Sequence, residues 1–171
     1  PLRSRPGSGT GAPPAGVAVV PAYGVVREWG AFEAYADYKP PVAVNNGVIA
    51  IAAGEPSVAL TVDGSVRVWS FSELDVPASA RSEVTAVASS GRTVMALKKD
   101  GSVITWDYGT AELLAVPDSV KAGMIGIAAG SSHPLALRSA GGVVAWGNNA
   151  HGEYAVPFAA QPGVLAVPAV Q

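Results

Sequence analysis

Residues 101–106 read Gly-Ser-Val-Ile-Thr-Trp, and the same pattern, Gly-x-Val-x-x-Trp, occurs four times along the chain. All four tryptophans of the sequence belong to this pattern. Its copies begin at Gly24, Gly64, Gly101 and Gly141 and end at Trp29, Trp69, Trp106 and Trp146. A spacing near 40 residues is typical of propeller blades, solenoids and other arrays. The chain is therefore predicted to be a repeat protein, with the tryptophans packed in the core or between repeats.

Two short apolar runs precede the last three copies of the pattern. The first runs cover residues 47–54, 83–90 and 123–130, and the second runs end at Leu60, Leu97 and Leu137. Both are rich in Val, Ile and Ala and partly alternate, as strands with one buried face do. Asp-Gly at positions 63–64 and 100–101 predicts hairpins with tight primed turns, because glycine adopts positive φ without strain. The sequence shows no sustained helical stripe, so an all-β fold is predicted.

The order of the runs favours a β-propeller of four roughly 40-residue repeats. Each repeat ends in a polar loop and a proline, at Pro40, Pro77, Pro117 and Pro157. Residues 17–24 align on a second run and residues 163–170 on a first run, so the two ends together supply the strands of one blade. We expect either a closed four-blade ring or part of a larger propeller. Residues 1–15 are interpreted as a flexible Gly- and Pro-rich lead-in and residues 16–171 as the repeat domain.

Composition argues against several classes of function. A net charge of −2 and a pI near 5.6 provide no basic surface for nucleic acid or for an anionic membrane. Cysteine is absent and only two histidines occur, so the sequence predicts neither a disulfide nor a metal site, and no cofactor. Nucleophile-elbow, phosphate-loop and zinc-protease patterns are also missing from the sequence. We therefore expect no catalytic residues and a protein that is not an enzyme.

Alternating strand directions predict where a binding surface lies. The loop after the first strand and the loop after the tryptophan emerge on one rim of the propeller, and the Asp-Gly turns occupy the other rim. The first rim carries loops that differ between repeats and bear aromatic residues, which is a common way to build a binding surface on a rigid scaffold. The candidate partner-binding residues are Glu55, Phe71, Arg92, Tyr108, His133, Asn148, Asn149, His151 and Tyr154.

The last repeat resembles a known family. The segments that carry the resemblance are Ala-Gly-Ser-Ser-His-Pro-Leu-Ala-Leu at 129–137, Gly-Val-Val-Ala-Trp-Gly-Asn-Asn at 142–149 and Gly-Glu-Tyr-Ala-Val-Pro at 152–157. They look like the regulator of chromosome condensation repeat, and the roughly 40-residue spacing and Val-Pro ending are most similar to the bacterial propeller-type β-lactamase inhibitor protein within that family. The resemblance covers about residues 17–170 and implies a propeller.

The other repeats depart from the family pattern. Pro56 and Thr93 stand where the last repeat has His133, and Ser70 and Asp107 replace the glycine that follows the tryptophan. Glu153 stands where the family usually has Gln.

Three hypotheses about function follow. The preferred one is a non-catalytic scaffold that binds another protein through its loop-rich rim. The resemblance implies two alternatives, nucleotide exchange on a small GTPase and inhibition of a secreted hydrolase such as a β-lactamase. A second copy of the chain, or further blades from a longer chain, are the expected ways to complete a larger ring.

Overall fold

The computed structural model describes residues 24–26, 40–70, 73–130 and 133–147, which form three antiparallel sheets. Sheet 1 contains β1 (Val48–Ala52), β2 (Ser57–Thr61), β3 (Val66–Trp69) and β4 (Glu73–Leu74). Sheet 2 contains β5 (Val84–Ser90), β6 (Thr93–Lys98), β7 (Val103–Asp107) and β8 (Leu113–Leu114). Sheet 3 contains β9 (Met124–Ala129), β10 (Pro134–Arg138) and β11 (Val143–Ala145).

Each sheet is a meander in which consecutive strands pair. The first strand of sheet 2, β5, lies beside the first strands of both neighbours, β1 and β9. This order, with first strands adjacent and later strands further out, is that of propeller blades. The all-β propeller-type fold predicted from the sequence is confirmed, and three of the predicted repeats fall within the described residues. Those residues contain no helix long and apolar enough to cross a membrane.

A single turn of 3-10 helix precedes the first strand of every sheet. The three turns are Val42–Val44, Ala78–Ala80 and Asp118–Val120. Each follows a proline with φ near −60°, at Pro41, Pro77 and Pro117, and each buries its last residue completely. Pro77 and Pro117 are prolines that the sequence analysis placed at the ends of repeats, whereas in sheet 1 the turn follows Pro41 and not Pro40. In each case the fixed φ of proline suits the residue that begins such a turn, which carries one apolar side chain into the core.

The hairpins between second and third strands occur where the Asp-Gly pairs predict them, but their turns are not of the primed type. In the first hairpin the Gly64 amide donates to the Thr61 carbonyl at 2.9 Å, and the Thr61 amide donates to Ser65 at 3.0 Å. Gly64 has φ +77°, whereas Asp63 is not among the residues with positive φ. This is a three-residue loop, a type I turn followed by a glycine bulge. Asp63 accepts hydrogen bonds from the Thr61 and Ser65 hydroxyls at 2.6 and 2.9 Å, which favours this turn.

The hairpin glycine also joins one repeat to the next. Its carbonyl accepts a hydrogen bond from the backbone amide at the start of the following repeat's first strand. The bonds join Gly24 to Val48, Gly64 to Val84 and Gly101 to Met124, with N···O distances of 3.2, 3.0 and 2.9 Å. Backbone of one repeat thus lies directly against backbone of the next.

At Gly64 and Gly101 the surrounding space leaves no room for a side chain. A Cβ on Gly64 would lie 2.9 Å from the Glu83 nitrogen, and a Cβ on Gly101 would lie 2.9 Å from the Gly123 nitrogen. Both contacts are with backbone, which cannot swing aside. Both glycines also have strongly positive φ, +77° and +80°, which L-residues with a side chain rarely adopt.

The valine and the tryptophan of the pattern point to opposite faces of the third strand, because they are three residues apart and side chains alternate in a strand. Val66 packs in the core between sheets 1 and 2, whereas Trp69 packs with Val48 and Val26 on the other face. Trp106 of sheet 2 lies in the core with Val66, and its side chain is completely buried. Trp69, Trp106 and Trp146 therefore pack toward the preceding repeat, and Val26, Val66 and Val103 pack toward the following one.

Replacing Gly64 with alanine should destabilise the protein by about 3 kcal/mol or more, because the new methyl adds a backbone clash to the strain of positive φ. Gly47→Ala is the matched control. Gly47 also has positive φ, +73°, but its Cβ would meet only Val62 Cγ1 at 3.6 Å, so we expect a loss of about 1 to 2 kcal/mol. Denaturant unfolding of both variants measures the difference, and equal losses would contradict the close approach.

Glu83 has φ +58° at the position that Gly47 and Gly123 occupy in the neighbouring repeats. A glutamate in this region is strained, so Glu83→Gly should stabilise the fold by about 1 kcal/mol. Glu83→Ala removes the charge and keeps the Cβ, and it should bring no such gain. If alanine stabilised as much as glycine in a thermal or denaturant melt, the charge rather than the backbone would be responsible.

Candidate functional site on the loop-bearing rim

Four of the nine predicted rim residues lie in the described structure, at the same end of their sheets. Glu55 is in the loop between β1 and β2, Arg92 in the turn between β5 and β6, Tyr108 directly after β7, and His133 directly before β10. In an antiparallel meander these positions share one end, as the sequence predicted. The remaining five lie outside the described residues: Phe71, Asn148, Asn149, His151 and Tyr154.

An ion pair connects the two rim loops of sheet 2. Arg92 donates from Nε to Asp107 Oδ2 at 2.9 Å and from Nη2 to Asp107 Oδ1 at 3.0 Å. The strand register produces this contact, since Thr93 pairs with Asp107 across β6 and β7. A planar guanidinium that meets a carboxylate with two hydrogen bonds is fixed in orientation as well as in position. The Arg92 side chain nevertheless remains 67% exposed.

Asp107 also orders the loop that follows it. Its Oδ1 accepts hydrogen bonds from the backbone amides of Gly109 at 2.8 Å and Thr110 at 3.2 Å. Its backbone carbonyl accepts from the Ala111 amide at 2.8 Å, and its own amide donates to Glu112 at 3.0 Å. A single residue thus closes the turn and holds the arginine, so the loop is organised without a partner.

Tyr108 lies under the guanidinium. Its ring centroid is 5.6 Å from Arg92 Cζ, within the range of a cation–π contact, and its amide donates to the Arg92 carbonyl at 3.1 Å. Gly109 leaves room for the arginine, because a Cβ there would lie 3.0 Å from Arg92 Nη2. The tyrosine is half-buried and packs against the core between sheets 1 and 2. Arg92, Asp107 and Tyr108 together form a platform, which we call the rim platform.

The charges of the platform stabilise each other. Hydrogen bonding from Arg92 lowers the pKa of Asp107, with smaller contributions from the Gly109 and Thr110 amides and the positive charge, and the same pair raises the pKa of Arg92. A lowered carboxylate pKa means that the folded state favours the charged form. The stabilisation is therefore present above the ordinary pKa of about 4 and is lost as the pH falls through the lower, folded value.

The rim loops of the other two sheets are held differently. In sheet 1 the buried Pro56 carbonyl accepts a hydrogen bond at 2.7 Å from the hydroxyl of Ser89 in sheet 2. In sheet 3 the imidazole of His133 lies close to Gly130: a Cβ on Gly130 would be only 2.6 Å from His133 Cε1. The His133 ring thus packs against Gly130. In sheet 1, Glu55 is exposed beside Pro56.

A small cleft lies between sheets 2 and 3 at the same end of the strands. Its volume is about 170 Å³, which is the size of one large side chain. Thr105 contributes to its wall, and period-two alternation places Asp107 further along the same face of β7. The lining residues are Thr93, Thr105, Leu114, Ala115, Ala129, Gly130, Pro134, Trp146 and Gly147.

Asp107 is the platform residue that the candidate set from the sequence did not include. A signal for it was present, because Asp107 stands where the family repeat has a glycine after the tryptophan. An acidic residue at a turn position, with an arginine in the neighbouring rim loop, could have indicated the pair. Recognising it required the strand register that places position 93 opposite position 107.

Comparison with known proteins gives a family match for the last described repeat. Residues 124–153 match the family profile described as the regulator of chromosome condensation repeat. Residues 124–153 are thus similar to one repeat of this family. The matched residues contain β9, β10 and β11, the three strands of sheet 3, and the other two sheets repeat their order. No curated protein sequence matches the chain.

Three solved structures illustrate what the chain is similar to. Human WBSCR16 superposes with a TM-score of 0.51 at 20% identity, over 67% of this chain and 37% of that one. Yeast RCC1 (Prp20), in a structure with Kap60, gives 0.49 at 22% identity over 67% and 33%. The computationally designed Ika8 protein gives 0.49 at 24% identity over 64% and 36%. The chain thus spans only about a third of the length of each of these proteins, and at 20% identity the likeness to human WBSCR16 shows the fold alone.

Replacing Arg92 with alanine should raise the pKa of Asp107 toward its ordinary value, because the charged carboxylate loses its first hydrogen-bond donor. Carbon-13 NMR titration of the carboxyl groups measures the change. Asp63 is the internal control, since hydrogen bonds from Thr61 and Ser65 lower its pKa without Arg92. An unchanged Asp107 titration would show that the ion pair does not form in solution.

Proposed function

We propose that this chain is a non-catalytic propeller-type scaffold that binds a protein partner through its loop-bearing rim. The observation that carries the proposal is the rim platform, in which Asp107 holds Arg92 over Tyr108 at the ends of rigid strands. Arginine and tyrosine are, with tryptophan, the residue types enriched among those that dominate the binding energy of protein interfaces. Because the platform is already ordered, a partner need not immobilise these side chains on binding, which lowers the cost of association.

The position of the platform supports the same function. Arg92 offers its remaining N–H groups to solvent, since only Nε and one Nη2 hydrogen are engaged by Asp107. The cleft between sheets 2 and 3 lies along the same face of β7 and has the volume of one inserted side chain. A polar anchor beside a small pocket is an arrangement that suits recognition of a protein surface.

Arg92→Ala should weaken binding of a partner at least about tenfold while leaving the fold intact, because exposed ion pairs contribute little to stability. Lys121→Ala is the matched control. Lys121 forms an exposed ion pair with Asp118 at 2.6 Å, just before β9 and therefore at the opposite end of the strands. Partners retained by the immobilised protein from an extract of its source would be identified, purified and measured by calorimetry against the wild type and both variants.

Equal affinity of wild type and Arg92→Ala, or equal weakening by both variants, would contradict binding through this rim. The alternatives suggested by the family resemblance have their own assays. Faster release of labelled nucleotide from a small GTPase would show exchange activity, and stoichiometric loss of hydrolysis by a secreted β-lactamase would show inhibition. If either effect appears and survives Arg92→Ala, the active surface lies elsewhere on the protein.

A further inference from the structure

The connection into the first strand of sheet 1 contains the dipeptide Asn46-Gly47. It follows the 3-10 turn Val42–Val44 and precedes β1 at Val48. The Asn46 side chain is exposed, and Gly47 has φ +73°. The equivalent dipeptides of the other two sheets are Ser82-Glu83 and Ala122-Gly123, which have no carboxamide group in their side chains.

The Gly47 nitrogen is open to reaction. It donates no hydrogen bond to any of the described residues, although the Gly47 carbonyl accepts one from Val62 at 2.8 Å. The space where a Cβ would be is also open, with Val62 Cγ1 at 3.6 Å as the neighbouring atom. The carboxamide carbon of Asn46, Cγ, belongs to the preceding residue, so the reaction of these two groups is intramolecular and is favoured by proximity.

We propose that Asn46 is a site of spontaneous deamidation, driven by the backbone nitrogen of Gly47. The deprotonated nitrogen attacks Cγ of Asn46 and forms a five-membered succinimide. The bond between Cγ and Nδ2 breaks, and the departing nitrogen takes up a proton and leaves as ammonia. Water then opens the ring at either carbonyl and yields aspartate or isoaspartate. Water is the sole co-reactant, and no group is oxidised or reduced.

The modification would act on the contact between sheet 1 and the preceding part of the protein. The Val44 carbonyl accepts from the Val26 amide at 3.2 Å, and Val48 exchanges two backbone hydrogen bonds with Gly24. Isoaspartate at position 46 inserts a methylene into the backbone between these two attachment points. The hydrogen bonds at Val44 and at Val48 cannot then all keep their present geometry, so the pairing of residues 24–26 weakens in the modified protein.

The whole protein is incubated in mildly alkaline buffer made with oxygen-18 water, and its peptides are analysed by mass spectrometry. We expect acid at position 46, carrying one heavy oxygen, to accumulate at least about tenfold faster than at Asn45, whose successor is bulkier than glycine. The reaction should slow in mildly acidic buffer, because the attacking nitrogen must lose its proton. Asn46→Gln is the matched control, since the longer glutamine would have to close a less favourable six-membered ring.

Two results would overturn the proposal. One is an equal rate at Asn45 and Asn46. The other is acid at position 46 in a short peptide of the same sequence but none in the folded protein, which would mean that the fold protects the site. Hydrogen exchange on the aged sample tests the consequence: the amides of residues 24–26 should lose protection in the isoaspartyl fraction and keep it in the Asn46→Gln protein.

Discussion

The close contact between a hairpin glycine and the backbone of the next repeat is the constraint on which the rest of the structure depends. Gly64 and Gly101 each bring their carbonyl within hydrogen-bonding distance of the first strand that follows, at a separation that excludes a Cβ. The amide of the following strand is a backbone group, which residues of many types can supply. The contact therefore fixes the spacing of successive sheets whatever side chains that strand carries. The core between sheets is then filled by residues whose positions the contact has already set.

The three fixed residues of Gly-x-Val-x-x-Trp perform separable tasks. Glycine sets the approach to the following repeat, valine fills the core on that same side, and tryptophan fills the core toward the preceding repeat. The odd spacing between valine and tryptophan sends them to opposite faces of one strand. In this arrangement Trp106 reaches Val66 of the previous sheet, so the same pattern in consecutive repeats forms both sides of each interface. A propeller-type array follows because every interface uses the same pair.

The sequence was sufficient to predict the first three strands of each repeat, their order and the end of the sheets that carries variable loops, because these depend on periodicity and on a repeated pattern. The fourth strands β4 and β8 were not predicted, because each has only two residues and lies in a segment that reads as a loop. Other features depend on contacts distant in sequence or on very short segments. The glycine bulge was not predicted because Asp63 is held by the Thr61 and Ser65 hydroxyls, which stabilise a type I turn. The 3-10 turns were not predicted because three residues carry no periodic signal. Asp107 was missed because its partner is known only once β6 and β7 are aligned.

The two ends of the strands differ in how freely their residues can change. At the hairpin end, backbone meets backbone of the next repeat, so a larger side chain disturbs two sheets at once. At the loop end of sheet 2, the ion pair between Arg92 and Asp107 closes within a single repeat, and exchanging it alters only that repeat's surface. Apart from contacts such as that of Ser89 with Pro56, a scaffold with this asymmetry can vary the loops of one rim while the hairpin end keeps the sheets in place. The residues that hold the sheets together and the residues that are free to vary thus lie at opposite ends of the strands. This is the reason to look for the binding surface at the loop end.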